Sequence, residues 1–406
     1  MSLAELGREA LRAIRAHALR SFLTLLGIII GVATLVGVVS VITGLNGYVR
    51  ERIIQLAPDV FVVQKFGIIR SRDEFLAALK RRNIDWNDYE SVRNHLTLAE
   101  TVAADASGTS MVKRRDRRLT DVRVHGTTAN YGPLMRLDIT AGRYFTPGEE
   151  QAALDVAVIG WDIKAELFGT LDPIGREILV GAGSYRVIGV VAEQGRTLGQ
   201  SQDNQLWMPI GSYRRAFGNR TSIDLVVKAR DGVAGLEASV DEVRALLRAL
   251  RHTSFSAPDP FGIVTLDRLQ DLWRQISAAA FILSLLIASV SLGVGGIVIM
   301  NIMLVAVVER TREIGVRLAL GARKKDIRRQ FLLEAALLSM AGGLVGVTLG
   351  ALTAWGVEGV LSFPARVTPP IVLSGLALSA AVGLAAGYGP ARSASNLPVV
   401  DALRSE

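Results

Sequence analysis

The chain has 406 residues, a formal net charge of +8, apolar residues at half of its positions, 40 glycines and no cysteine. Disulfides are excluded, as is any cysteine-based metal or nucleophilic site. The four histidines are dispersed, and nothing in the chain has metal-ligand or catalytic spacing.

At the start of the chain, Leu3, Leu6, Ala10, Leu11, Ile14 and Ala18 recur at helical spacing with charged residues between them. This predicts an amphipathic helix over 1–20 lying on a membrane surface. Apolar runs follow at 21–45, 276–308, 331–361 and 371–389. A helix crosses a ~30 Å hydrocarbon core in ~20 residues, so each run predicts a transmembrane span. The first run is too long for the apolar core of a cleaved signal peptide and is expected to stay as an anchor. It carries Gly27 and Gly31 at GxxxG spacing; Gly346, Gly350, Gly383 and Gly387 recur at the same spacing in the later runs. Small residues four apart let helices approach closely where lipid supplies no hydrophobic drive, so these six glycines are expected to pack helix against helix. Asn301, near the end of the second run, is expected to hydrogen-bond inside a helix interface. The surplus length of that run implies tilt, or a stalk beginning at 269–275. Glu334 sits one turn beyond a basic cluster, within reach of neighbouring arginines. Pro390 is expected to stop the last helix.

Between the first two runs, 46–275 reads as a folded domain. Strand patterns occur at VFVVQ (Val60–Gln64), IDLVVKA (Ile223–Ala229) and 261–266, and helices at 85–96, capped near Asp85, and 233–250. These units predict one discontinuous α/β subdomain, 46–112 with 216–268. The intervening 113–215 is strand-rich and punctuated by Gly and Pro, which predicts an inserted β subdomain. Within it, KRRDRR at 113–118 reads as a solvated hairpin tip.

Charge orients the spans. Arginines crowd residues 1–20, and the loop at 309–330 holds two basic clusters, whereas the loop between the third and fourth runs has only Arg366. The basic excess places both termini and the 309–330 loop in the cytoplasm and the 46–275 domain outside. A nearly neutral exterior with a basic interior gives no support to nucleic-acid binding; the basic residues fit retention at a lipid surface. The stretch 309–321, ERTREIGVRLALG, is short, charged and helix-prone, and is fixed between two spans. It is the natural place for a partner to push or pull, with Ile314 and Leu318 as apolar knobs and Gly321 as the helix stop.

ERTREIGVRLALGARKKDIRRQFLLEAALLSMAGGLVG resembles the defining segment of MacB/FtsX-like ABC transporter permeases. ALRSFLTLLGIIIGVA is similar to that family's first span, and PARSASNLPVVDALR to its tail. GRYFT, VAVIG, LFGTLDPIG and YRVIGVV resemble its external domain. The resemblance covers nearly the whole chain in order. It implies an α-helical membrane protein with four transmembrane helices and a large external domain made of porter-like α/β and sabre-like β parts. It also implies a homodimer, or a pair with a related permease, driven by a cytoplasmic ABC ATPase dimer and in some systems joined by a periplasmic adaptor. By carry-over, Glu309, Arg310, Arg312, Glu313, Ile314, Gly315, Arg317, Leu320, Gly321 and Ala322 would form the element docked on the ATPase.

Some members have the ATPase fused at the N-terminus. Here only residues 1–20 precede the first run, and no GxxxxGK[ST] phosphate loop occurs. The expectation is a non-catalytic subunit that binds no cofactor itself, with ATP and Mg held by a separate ATPase chain. Its output would be efflux of antibiotics, peptides or other amphiphiles. Lipoprotein extraction or control of cell-wall hydrolases is the alternative within the family, and a membrane-anchored sensor without an ATPase the alternative outside it.

Overall fold

The computed structural model describes residues 18–48, 57–197, 200–361, 364–399 and 402. The amphipathic helix expected over 1–20 falls outside these, apart from its last three residues. The chain divides into two compact units, 1–49 with 274–406, and 50–273.

The described residues of the first unit are mostly helical, beginning with α1 (Ala18–Tyr48).

The second unit is built on one ten-stranded sheet. In chain order it contains β1 (Val60–Gln64), α2 (Arg72–Leu79), α3 (Trp86–His95), β2 (Ala99–Arg114) and β3 (Arg117–Thr127). Then come α4 (Tyr131–Leu134), β4 (Ile139–Gly142), α5 (Pro147–Gln151), β5 (Val156–Ile159), α6 (Trp161–Phe168), β6 (Glu177–Val180) and β7 (Gly183–Val191). After a two-stranded ribbon, β8 (Arg196–Thr197) with β9 (Gln200–Ser201), the unit ends with β10 (Gln205–Pro209), α7 (Ile210–Phe217), β11 (Ile223–Ala229), α8 (Leu236–Leu250) and β12 (Gly262–Thr265). The strand order is β12-β1-β11-β2-β3-β10-β5-β7-β4, with β6 pairing both β2 and β7.

Local sequence explains the elements. Asp85 caps α3, and Asp88 returns the bond to the Asp85 amide, a capping box that satisfies two orphan donors. In α8, Leu236, Val240, Val243 and Leu247 recur on one buried face and cover the sheet beside α3. Asp88 is held by Arg251 at 2.5 Å, with side chains only 1 % and 4 % exposed. The expected split at 112/113 and 215/216 is corrected by the sheet. The first boundary falls inside β2 and the second inside α7, because the long β2–β3 hairpin belongs to both halves. The hairpin tip is also not simply solvated. Arg114 and Arg117 donate to the carbonyls of Leu167 and Glu166 at the end of α6, and Arg114 lies over the Phe168 ring. Arginines there satisfy carbonyls that the helix end leaves unpaired.

The other sheet face carries Tyr131, Phe145 and Trp207 among aliphatic residues. Three titratable groups cross it in a row. Asp224 pairs with Asp105 across β11 and β2, and His125 Nδ1 lies 3.0 Å from Asp105 Oδ1. Burial, reinforced by the Asp105 charge and partly offset by His125, pushes the Asp224 carboxyl up to about 7.

The membrane unit continues with α9 (Leu266–Glu309), α10 (Thr311–Ala319), α11 (Lys324–Leu361) and α12 (Pro369–Ser395). Helices α1, α9, α11 and α12 are long and apolar enough to cross a membrane. The expected stalk at 269–275 is helical and continuous with the second span. Each of the six glycines stands against another helix of this chain. A Cβ on Gly27 would stand 2.8 Å from Gly295 Cα, and one on Gly31 would stand 2.8 Å from the Leu292 side chain. Gly346 and Gly350 lie against the Ile29 and Ala33 carbonyls, while Gly383 and Gly387 lie against Ser339 and Ala335. Helix α1 is therefore in contact with α9 and α11, and α11 with α12.

Asn301 departs from the expectation. It is exposed on α9 and has no partner among the described residues. The Gly27–Gly295 contact of these antiparallel helices sets Asn301 level with residue 21, where the first apolar run begins. At the other end Ser277 Oγ donates to Asn46 Oδ1, where both apolar runs stop. Pro390 also departs: α12 runs through it to Ser395. Pro390, Ala391 and Ala394 are buried against the unit's core, and that packing outweighs the single backbone bond a proline removes.

Candidate coupling surface

Helix α9 ends at Glu309, and α10 begins after one residue, Arg310. Nine residues make α10 too short to be stable alone. It is fixed by its inner face. Ile314 is 2 % exposed and joins Val307, Ile327 and Phe331 in the core of the membrane unit, with Leu318 and Ala322 packed at its edge. Gly315 is buried against the C-terminal segment, where a Cβ would come within 2.6 Å of Ala402 Cβ. Any side chain there would push that segment away.

Polar bonds tie the same face to α11. Arg310 Nη1 donates to both Glu334 carboxylate oxygens, at 3.1 and 3.2 Å. Arg317 Nη1 donates to Gln330 Oε1 at 2.8 Å, and its other terminal nitrogen pairs with Glu313 one turn back. The helix stops in a Schellman arrangement. Gly321, at φ +92°, donates to the Leu318 carbonyl, and Ala322 donates to that of Arg317. A residue with a Cβ is disfavoured at such a φ, so Gly321 sets the stop. Arg323 N then donates to Asp326 Oδ2 as α11 starts, and Lys324 Nζ reaches Asn396 Oδ1 beyond α12.

The outer face is different. Arg312, Val316 and Leu320 recur every fourth residue and are exposed, Leu320 at 83 % and Val316 at 43 %. Glu309, Glu313, Ala319 and Gly321 are exposed beside them. The ten residues carried over from the family thus lie in α10 and its two ends but split between two faces. Arg312, Leu320 and the exposed acids are available to a partner, while Arg310, Ile314, Gly315, Arg317 and Ala322 hold the helix in place. Ile314 and Leu318 both face the core. The exposed apolar side chains are Leu320 and Val316. The signal for Val316 was in the sequence: it sits four residues from both Arg312 and Leu320, opposite Ile314. Gln330 and Ala402 had no such signal, because their contacts form only on folding.

The family description "MacB-like periplasmic core domain" matches residues 21–249, and "FtsX-like permease C-terminal" matches 285–399. The chain belongs to the MacB/FtsX-like permease family. Among curated relatives, the macrolide export ATP-binding/permease protein MacB of Azoarcus sp. is 36 % identical over 100 % of this chain and 60 % of its own length. That of Bdellovibrio bacteriovorus is 32 % identical over 98 % of this chain and 61 % of its own. This permease therefore spans about three-fifths of the length of these MacB proteins. The periplasmic region of MacB from Actinobacillus actinomycetemcomitans aligns over 55 % of this chain and 95 % of its own, with 18 % identity and a TM-score of 0.46.

Proposed function

We infer that this permease works as a non-catalytic mechanical subunit: ATP hydrolysis at a cytoplasmic ABC ATPase is gripped at α10 and moves the external domain. The observation that carries this reading is the two-faced α10. Its inner face is locked to α9, α11 and the C-terminal segment, so force applied to Arg312, Val316 and Leu320 is passed on rather than absorbed. The 406 residues hold no phosphate loop, so ATP and Mg would be held on a segment or chain outside them. The basic residues around α10 favour its placement in the cytoplasm, with the 50–273 unit on the other side.

The output is efflux of amphiphiles that reach the external domain, in line with the macrolide export for which the relatives are named. A second permease copy and a periplasmic adaptor complete the assembly in this reading. The test is affinity capture of the tagged chain in mild detergent. An ABC ATPase should co-purify, with hydrolysis that falls when the permease is removed. Capture of no ATPase, with α10 intact, refutes the proposal.

A further inference from the structure

Helix α2 (Arg72–Leu79) is turned inside out for a helix on the surface of a folded domain. Of its eight residues only Ala78 is buried, while Phe75, Leu76 and Leu79 are exposed and join Phe66, which stacks on Phe75 at 6.3 Å. These four apolar side chains are 38–47 % exposed. Basic residues ring them. Arg70, Arg72 and Lys80 are exposed, and their side-chain charges have no partner among the described residues. Beside the helix lies a groove of about 610 Å³ lined by Arg70, Arg81, Arg244 and Arg268 and by two acids, Glu74 and Asp259; Arg244 pairs with Asp259 and with Asp241 outside the lining.

We propose that this face, residues 65–82 with the adjoining arginine groove, rests on an anionic phospholipid leaflet. A lipid surface supplies both halves of the complement: phosphates for the unpaired cations and acyl chains for Phe66, Phe75, Leu76 and Leu79. A soluble acidic partner would match only the charge. The acids Asp73 and Glu74 do not cancel the excess, since the segment 65–82 also contains Lys65, Arg70, Arg72, Lys80, Arg81 and Arg82. The proposal needs only the membrane insertion of the chain, not the ATPase coupling, so each can fail without the other.

The 406 residues contain no cysteine, so one site can be labelled in this chain. A nitroxide on Leu76→Cys is compared in proteoliposomes of phosphatidylcholine alone and of phosphatidylcholine with phosphatidylglycerol. In the anionic vesicles the label should become more accessible to oxygen than to a water-soluble nickel chelate. A label on Asp116→Cys, at the β2–β3 tip, should stay aqueous in both. Replacing Arg70, Arg72 and Lys80 together by Glu should return position 76 to the aqueous profile. Leu79→Cys provides a second reporter if Leu76→Cys does not fold. An aqueous profile at both positions in both vesicles overturns the proposal. So does dipolar broadening between labels, which would put a second copy, rather than lipid, on this face.

Discussion

Leu320→Asp tests the two-faced reading of α10 most sharply. Leu320 is 83 % exposed, so in the isolated permease the change removes almost no internal contact, and stability should move by no more than ~0.5 kcal/mol. On a docked ATPase the same side chain would be buried. Burial of a leucine is worth about 1.5–3 kcal/mol, and the carboxylate adds a desolvation cost. A loss of at least ~2 kcal/mol corresponds to a roughly 30-fold weaker complex. The assay is ATP hydrolysis by the co-purifying ATPase, titrated with reconstituted permease. The half-maximal permease concentration should rise by that factor while the melting temperature of the permease stays put. Ile314→Asp is the opposite control. At 2 % exposure it places a charge among Val307, Ile327 and Phe331, so it should cost folding before coupling. An unchanged half-maximal concentration for Leu320→Asp refutes the assignment of the outer face. So does a drop in melting temperature as large as that of Ile314→Asp.

Three further outcomes follow from other contacts. Gly383→Ala should destabilise the membrane unit by about 1–3 kcal/mol, because its Cβ would lie 2.0 Å from Ser339 Oγ and 2.7 Å from the Ala335 carbonyl; thermal scans should show Ser339→Ala restoring only part, since the backbone clash remains. Arg251→Met should cost about 3–5 kcal/mol by leaving the Asp88 carboxylate buried and unpaired, and Asp88→Leu added to it should recover stability, read from the same scans. Asp224, whose carboxyl is raised from 3.8 to about 7 by burial and the Asp105 charge, contributes stability that is present at pH 4 and lost as pH climbs through 7. Asp224→Asn should therefore flatten the melting temperature between pH 4 and pH 8 and raise it at the upper end, with about 4 kcal/mol as the ceiling; an unchanged slope would remove Asp224 as its source.

What could be read from sequence depended on how local the cause was. The four spans, the β1 and β11 strands and the cap at Asp85 each follow from a short window of composition or periodicity, and each is in place. The glycines were legible as contact points because only a residue without a side chain suits so close an approach, yet their partners were not: Gly295 opposite Gly27, or Ser339 opposite Gly383, is set by helix register. Asn301 has no partner among the described residues for the same reason, since what faces it follows from the Gly27–Gly295 register and not from its own run. The β2–β3 hairpin misled differently. Its basic tip looked like a boundary, but the arginines that make it polar also cap α6, and the strands on either side belong to one sheet. At α10, period and charge identified the element, while the division of labour between Arg312 and Arg317 required knowing which way the helix was turned.

The split at α10 also bears on how a small element could move a large one. A helix held only by its ends would bend when pushed, and motion would be lost in the loop. Here the inner face is tied at separate points to three neighbours. Ile314 is buried among residues of α9 and α11, Arg310 binds Glu334, Arg317 binds Gln330, and Gly315 contacts Ala402. Packed interiors transmit displacement because they have little free volume to absorb it. Arg310 sits between α9 and α10 and binds Glu334, so a shift of the outer face acts on the last turn of α9 and on the third turn of α11 together. Helix α9 is unbroken from Glu309 back to Leu266 and contains no proline to interrupt its backbone bonds. Under the proposed coupling, the residues that never touch the ATPase are thus as necessary as those that do. Loss of Arg310 or Gln330 should leave ATPase binding intact while hydrolysis no longer depends on the state of the external domain.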